Sequence, residues 1–149
     1  MSEWPSQVLA SGVLVWDERG RLLMVRTHNR STLILPGGLV ESDESPADAG
    51  QREVFEEVGL TVSLGRLLAV QHLVAEEYRP SSVQFVFDSD PQVGSPVLTL
   101  QAAEIAHAHW LDPDEAVAFH GARGRGRLRA ALTAHAGGPT AFLDATRTG

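Results

Sequence analysis

The sequence predicts one α+β domain, and three observations carry that prediction. Its 149 residues and 16.0 kDa leave room for a single core. Apolar residues make up 43% and charged residues 21%, an ordinary globular balance. Short apolar runs closed by turn residues alternate with stretches that begin on helix caps, so strands and helices are interleaved along the chain.

The elements follow in order. Residues 8–16 are an apolar run, Asp17-Glu18-Arg19-Gly20 reads as a turn, and residues 22–26 return as a second strand. Together they predict a β-hairpin with a four-residue connection. Leu33-Ile34-Leu35 reads as a short strand stopped by a Pro36-Gly37-Gly38 loop. A helix begins near Ser45, with Ser45 as N-cap, Pro46 at the first helical position, Asp48 as the acid of a capping box and Gly59 as the stop. Residues 60–74 read as strand with a break near Gly65, and residues 82–87 alternate like a half-buried strand. Residues 88–96, rich in Asp, Ser, Pro and Gly, predict a loop. Residues 107–111 predict a short strand, and Asp112-Pro113 opens a second helix by the same cap-then-Pro logic. Residues 124–136 predict a third helix, and residues 137–149 a flexible tail to a single domain spanning 1–149.

Composition narrows the function classes. The chain has no cysteine, which removes disulfide frameworks, thiolate catalysis and cysteine-ligated metal sites. No apolar run approaches the roughly 20 residues that cross a bilayer. The first five residues carry Glu3 and no basic, apolar leader, so a cytoplasmic location is the expectation. The formal net charge of −7 is unevenly spread. Residues 41–57 hold Glu41, Asp43, Glu44, Asp48, Glu53, Glu56 and Glu57 against Arg52 alone, whereas the C-terminal 29 residues are net basic.

On a helix, Glu53, Glu56 and Glu57 share one face through their i, i+3 and i+4 spacing. Ala47, Gly50, Val54 and Val58 fall in a neighbouring sector that can face a core. Clustered carboxylates repel one another unless they are solvated, protonated or paired with cations. Bare, the triplet fits a solvated surface helix as well as a site for a hard divalent cation, which takes oxygen ligands and suits attack of water on phosphorus.

The wider pattern separates those readings. From Gly38 to Leu60 the chain follows G-x5-E-x7-R-E-U-x-E-E-x-G-U, where U is aliphatic, with every fixed position present. This resembles the Nudix box, set between a glycine-rich loop and a helix as in the Nudix hydrolases. Trp110-Leu111-Asp112 followed by a helix also resembles that family. Gly50 departs from the family's usual Ala, at a helix-propensity cost of about 1 kcal/mol.

The resemblance implies an α/β/α sandwich around a central mixed β-sheet. It implies hydrolysis of a nucleoside diphosphate linked to another moiety X, with Mg²⁺ as cofactor and Mn²⁺ as the alternative. Glu53, Glu56 and Glu57 would hold the metal with the Gly37 carbonyl, and Arg52 would orient a helix glutamate. Glu44 would tie the loop to the helix, and Gly38 and Gly59 would be structural. The general base is either a box glutamate or a downstream one, with Glu104 favoured over Glu76 and Glu77. Tyr78, 18 residues past the box, is a base-stacking candidate of the kind found in dinucleoside polyphosphate hydrolases, and Arg26, Arg30 and Arg79 are phosphate candidates. Pro80 lies too far downstream for the ADP-ribose hydrolase pattern, and no coenzyme A motif is evident. The partner implied is a small-molecule nucleotide, with nucleoside triphosphates and dinucleoside polyphosphates included, and a homodimer is common in the family.

The remaining features read as structural: His107 and His109 on one strand face without a third ligand, Trp110 in the core, and Arg123–Arg129 as a basic helix face. Overall acidity argues against nucleic acid as the main partner. A rival to the enzyme reading is a catalytically silent Nudix domain that holds a nucleotide without cleaving it.

Overall fold

Val13, Leu14, Val15 and Trp16 are all buried, yet they serve two different cores. Val13 and Val15 pack with Val54 and Val58, whereas Leu14 and Trp16 pack with Leu128, Ala131 and Ala134. Leu22 and Met24 against Leu23 and Val25 repeat the division. Side chains alternate across a strand, so an unbroken apolar run marks a strand covered on both faces. The computed structural model, which describes residues 4–144, is accordingly a sandwich.

Its elements are β1 (Val8–Val13), β2 (Leu22–Thr27), β3 (Gly37–Leu39), α1 (Pro46–Val58), β4 (Leu64–Leu73), β5 (Ser82–Ser89), β6 (Ile105–Leu111), α2 (Pro113–Phe119), α3 (Ala122–His135) and β7 (Ala141–Asp144). A mixed sheet runs β3-β1-β5-β4-β7, and β2 pairs with β6 beside it. One core lies between the strands and α1, the other between the strands and the α2–α3 pair. Among the described residues no helix is long and apolar enough to cross a membrane.

Three expectations change. The first hairpin is reduced to a bridge between Trp16 and Leu22 with two backbone bonds, the Leu23 N–H to the Val15 carbonyl at 2.9 Å and the Asp17 N–H to the Arg21 carbonyl at 3.0 Å. Both edges of β1 are taken, by β3 antiparallel and β5 parallel, so β2 turns away and pairs with β6. The strand around Leu33–Leu35 is reduced to single bridges, Ile34 to Val25 and Leu33 to His120. Instead Gly37 and Gly38 of the expected Pro36-Gly37-Gly38 loop join Leu39 in β3, registered on Gly12 to Ala10. A side chain at Gly37 would overlap the Ser11 carbonyl oxygen, so only glycine lets the two backbones approach this closely. Finally, the C-terminal segment is not a loose tail through Asp144, because β7 lies parallel on β4 and Thr140 Oγ1 donates to the Leu67 carbonyl at 2.7 Å. The rest of the predicted tail, 145–149, lies outside the described residues.

Helix α1 forms where its punctuation places it. Ser45 Oγ accepts the Asp48 N–H at 3.1 Å, and Gly59 closes the helix at φ 76° with its N–H on the Phe55 carbonyl. Gly50 has a packing reason: a Cβ there would lie 3.0 Å from Val13 Cγ2 in the core. The expected break near Gly65 is a pair of register irregularities between Leu64 and Ala69, inside a strand that pairs on to Leu73.

Candidate active site

Helix α1 packs its apolar sector on β1, which turns Arg52, Glu53, Glu56 and Glu57 toward β3 and the loop behind it. Arg52 gathers most of these acids. Its Nε and Nη2 grip both oxygens of Glu44 at 3.0 and 2.6 Å, and its Nη1 reaches Glu53 at 3.1 Å and Glu56 at 3.2 Å. Nη2 also donates to the Leu39 carbonyl at 3.0 Å, fastening β3 to the helix. Such forked, charge-assisted bonds are directional, so the arginine fixes where the carboxylates stand. The bond to Arg52 holds the Glu44 carboxyl below its ordinary range, and Glu44 in turn holds Arg52 firmly protonated. Glu44 also accepts the Glu41 N–H at 2.9 Å, closing the turn that leads into α1.

Glu57 stands apart. It is buried, receives nothing from Arg52, and is held by the Gly37 N–H on its Oε1 at 2.9 Å. Burial pushes its pKa up to about 8, and the charges of Glu53, Glu104 and Glu56 push the same way against the lowering effect of the Gly37 bond. Burial raises Glu53 as well, with Arg52 opposing. The glycine loop roofs this pair: a Cβ on Gly38 would sit 2.6 Å from the Glu53 carboxyl carbon.

Glu104 arrives from the other side. The segment before β6 is tied to the end of α1 by the Thr99 N–H on the Val58 carbonyl (2.9 Å) and the Gln101 N–H on the Glu57 carbonyl (3.0 Å). Glu104 follows that anchor, and its charge is felt by both Glu53 and Glu57. Four carboxylates from one helix and one loop thus share a small region beneath two glycines. Among the described residues no three His, Asp or Glu side chains already surround a single point. The donor set nonetheless fits a hard cation: its side-chain donors are carboxylate oxygens, and among the described residues the buried Glu57 has no cationic partner.

The other expected residues are more scattered. Tyr78 is 89% exposed at the turn between β4 and β5. Arg26 on β2 donates to the Arg30 carbonyl at 3.1 Å. Arg79 and Arg30 line a cavity of about 330 Å³ that begins at Gly37 and Gly38 and runs toward α3. His107 and His109 stack at 6.0 Å on the exposed face of β6, and Trp110 packs against the α1-side core. Sequence reasoning missed Arg127 and His120, which line the same cavity. The signal was present in Gly124, in the first turn of α3, because a Cβ there would meet the His120 ring at 2.7 Å and the Arg127 guanidinium at 2.8 Å.

A two-core sandwich whose glycine strand roofs a helix of glutamates defines the class of α/β/α proteins that carry a Nudix box. The NUDIX domain model matches residues 6–132, and the chain belongs to that family. A MutT-like protein of Streptomyces ambofaciens is 35% identical over 108 residues, covering 72% of this chain and 65% of that one. The 8-oxo-dGDP phosphatase NUDT18 of Danio rerio is 35% identical over 105 residues, 68% of this chain and 31% of that one. The matched segment thus spans less than two thirds of either relative. Among solved structures, the MutT protein of Methanosarcina mazei superposes with a TM-score of 0.72 at 24% identity, covering 91% of this chain and 99% of that one. That likeness establishes the shared fold.

Proposed function

We propose that this chain is a divalent-metal-dependent pyrophosphohydrolase that cleaves a nucleoside diphosphate linked to a moiety X. The observation that carries the reading is Glu57, a buried carboxylate without a cation, facing Glu53 and Glu104 under the Gly37–Gly38 roof. Glu53, Glu56 and Glu57, with the Gly37 carbonyl, are the proposed holders of Mg²⁺ or Mn²⁺. A cation bound there supplies neutralisation of the pyrophosphate and a more acidic water. Nudix relatives named as phosphatases and hydrolases, the NUDT18 phosphatase among them, support the class of reaction.

The chain's own residues do the rest. Arg52 holds Glu53 and Glu56 in place through bonds of 3.1 and 3.2 Å, while Glu44 occupies the opposite edge of the same guanidinium. Glu104 takes the proton of the attacking water. The water oxygen bonds to one phosphorus, the bond from that phosphorus to the bridging oxygen breaks, and the bridging oxygen leaves on the other phosphate. The products are a nucleotide and phosphorylated X.

The test is the full chain with Mg²⁺ and a panel of nucleoside triphosphates, dinucleoside polyphosphates and nucleoside diphosphate conjugates, run in ¹⁸O-water. Label in one phosphate product identifies the phosphorus attacked. Tight nucleotide binding with no cleavage of any substrate would establish the silent binding domain instead.

A further inference from the structure

The cavity beyond the glycine roof has a composition the catalytic reading does not use. Among the described residues its walls carry Arg30, Arg79, Arg123 and Arg127 and no acidic residue. Arg123 is neutralised by Glu76 at 2.6 Å. Arg127, the most enclosed of the four, bonds only the neutral Gln71 amide oxygen, at 2.6 Å. Among the described residues the guanidinium groups of Arg30 and Arg79 have no hydrogen-bond or ion-pair partner. Three uncompensated cations therefore converge on one concave space.

The fold has made room for them. Gly124 stands in the first turn of α3 although glycine is a poor helix former, and its missing Cβ leaves the space that the Arg127 guanidinium and the His120 ring occupy. Burial and the charges of Arg127 and Arg125 push the His120 pKa down, so the ring adds no competing cation at neutral pH. Phe85 and Leu35 supply an apolar wall opposite. Gly37 and Gly38, which touch Glu57 and Glu53, also line the cavity, so the cavity adjoins the glutamates.

Resting on the pyrophosphohydrolase reading, we infer that the moiety seated in this cavity carries its own phosphate, so that the chain selects substrates with negative charge beyond the scissile pyrophosphate. Phosphorylated X groups and longer polyphosphate chains share that chemistry. A neutral sugar or an unmodified base would leave the enclosed Arg127 guanidinium and its two arginine neighbours without a counter-charge. Arg79 and Arg127 are the specificity-determining residues, one at the mouth and one within.

Two measurements test this. In the first, the metal-free full chain is titrated calorimetrically with inorganic tripolyphosphate. Arg79→Gln and Arg127→Gln should each weaken binding about tenfold, as expected for loss of one charge-assisted contact. Arg79 is exposed, so its variant remains informative if Arg127→Gln does not fold. Equal affinity in parent and Arg79→Gln overturns the proposal. In the second, hydrolysis with Mg²⁺ is compared for a nucleoside diphosphate sugar with and without a phosphate on the sugar. The parent should favour the phosphorylated form in kcat/KM, chiefly through KM, and the preference should fall about tenfold in either variant and partly return in Arg127→Lys. A parent that favours the neutral sugar overturns the inference while leaving the hydrolase reading intact. Weakened tripolyphosphate binding in the variants, with neither sugar nor any other member of the nucleotide panel cleaved by the parent, upholds the anion pocket and overturns the hydrolase reading.

Discussion

Helices α1 and α3 both concentrate charge, and they spend it differently. From α1, Arg52 hydrogen-bonds Glu44, Glu53 and Glu56, and among the described residues Glu57 is buried without a cation. On α3 the arginines rarely meet acids at all. Arg125 donates to the Val117 and His120 carbonyls that end α2, and Arg127 donates to an amide oxygen, so of these arginines only Arg123 forms an ion pair among the described residues. A charged side chain that ends on a carbonyl has its geometry fixed but its charge unspent. The acidic helix is therefore arranged to receive cations and the basic helix to receive anions, with the glycine strand between them.

The largest expected effect comes from breaking the acidic side at its centre. Glu57→Gln keeps the hydrogen bond from Gly37 and removes the charge, so kcat should fall by about a thousandfold or more with an unchanged circular dichroism spectrum. Near-normal turnover would remove Glu57 from the site. Next is the organiser: Arg52→Gln unlocks Glu44, Glu53 and Glu56 together. It should lower kcat roughly 10- to 100-fold and cost about 1–3 kcal/mol in urea unfolding.

The pH dependence of the metal-free protein sharpens the contrast further. The Glu57 carboxyl titrates near 4.5 in the unfolded chain and about 8 when folded, so between those values the folded state holds the extra proton. Its stabilising effect is complete below about pH 4.5 and is lost as pH rises through 8. With a chelator present, Tm should fall between pH 5 and 8. Glu57→Gln should flatten that slope, and Mg²⁺ at pH 8 should restore stability by replacing the proton with a cation. A Tm indifferent to pH in the chelated protein would contradict the burial argument. The smallest effect belongs to the basic helix. Arg125, which does not itself line the cavity, loses its Val117 and His120 carbonyl contacts in Arg125→Gln, which should cost about 1–2 kcal/mol of stability and change kcat/KM far less than Arg127→Gln does.

Much of α1 was legible in advance because its signals are local. The Ser45 cap, the Gly59 stop and the 53-56-57 spacing depend on residues within a few turns of one another, and helical geometry converts spacing directly into a shared face. The partners of Arg52 at Glu44 and Glu56 are equally near in sequence. The first hairpin and the Leu33–Leu35 strand failed for the opposite reason. Strand pairing is a choice among distant competitors, and β1 is claimed by β3 and β5, while β2 is drawn to β6. The tail was misread likewise, since the partner of β7 is β4, about seventy residues earlier.

The sequence by itself determined the class of fold, the family and the acidic helix, because caps, periodicity and a fixed motif are written in short-range spacing. Only the tertiary structure decided which glutamate is buried, where Glu104 enters, and which arginines line a cavity rather than cap a helix. Burial and charge compensation depend on what packs opposite a side chain. For Glu57 that is Gly37, twenty residues away, and for Arg127 it is Gln71, fifty-six residues away.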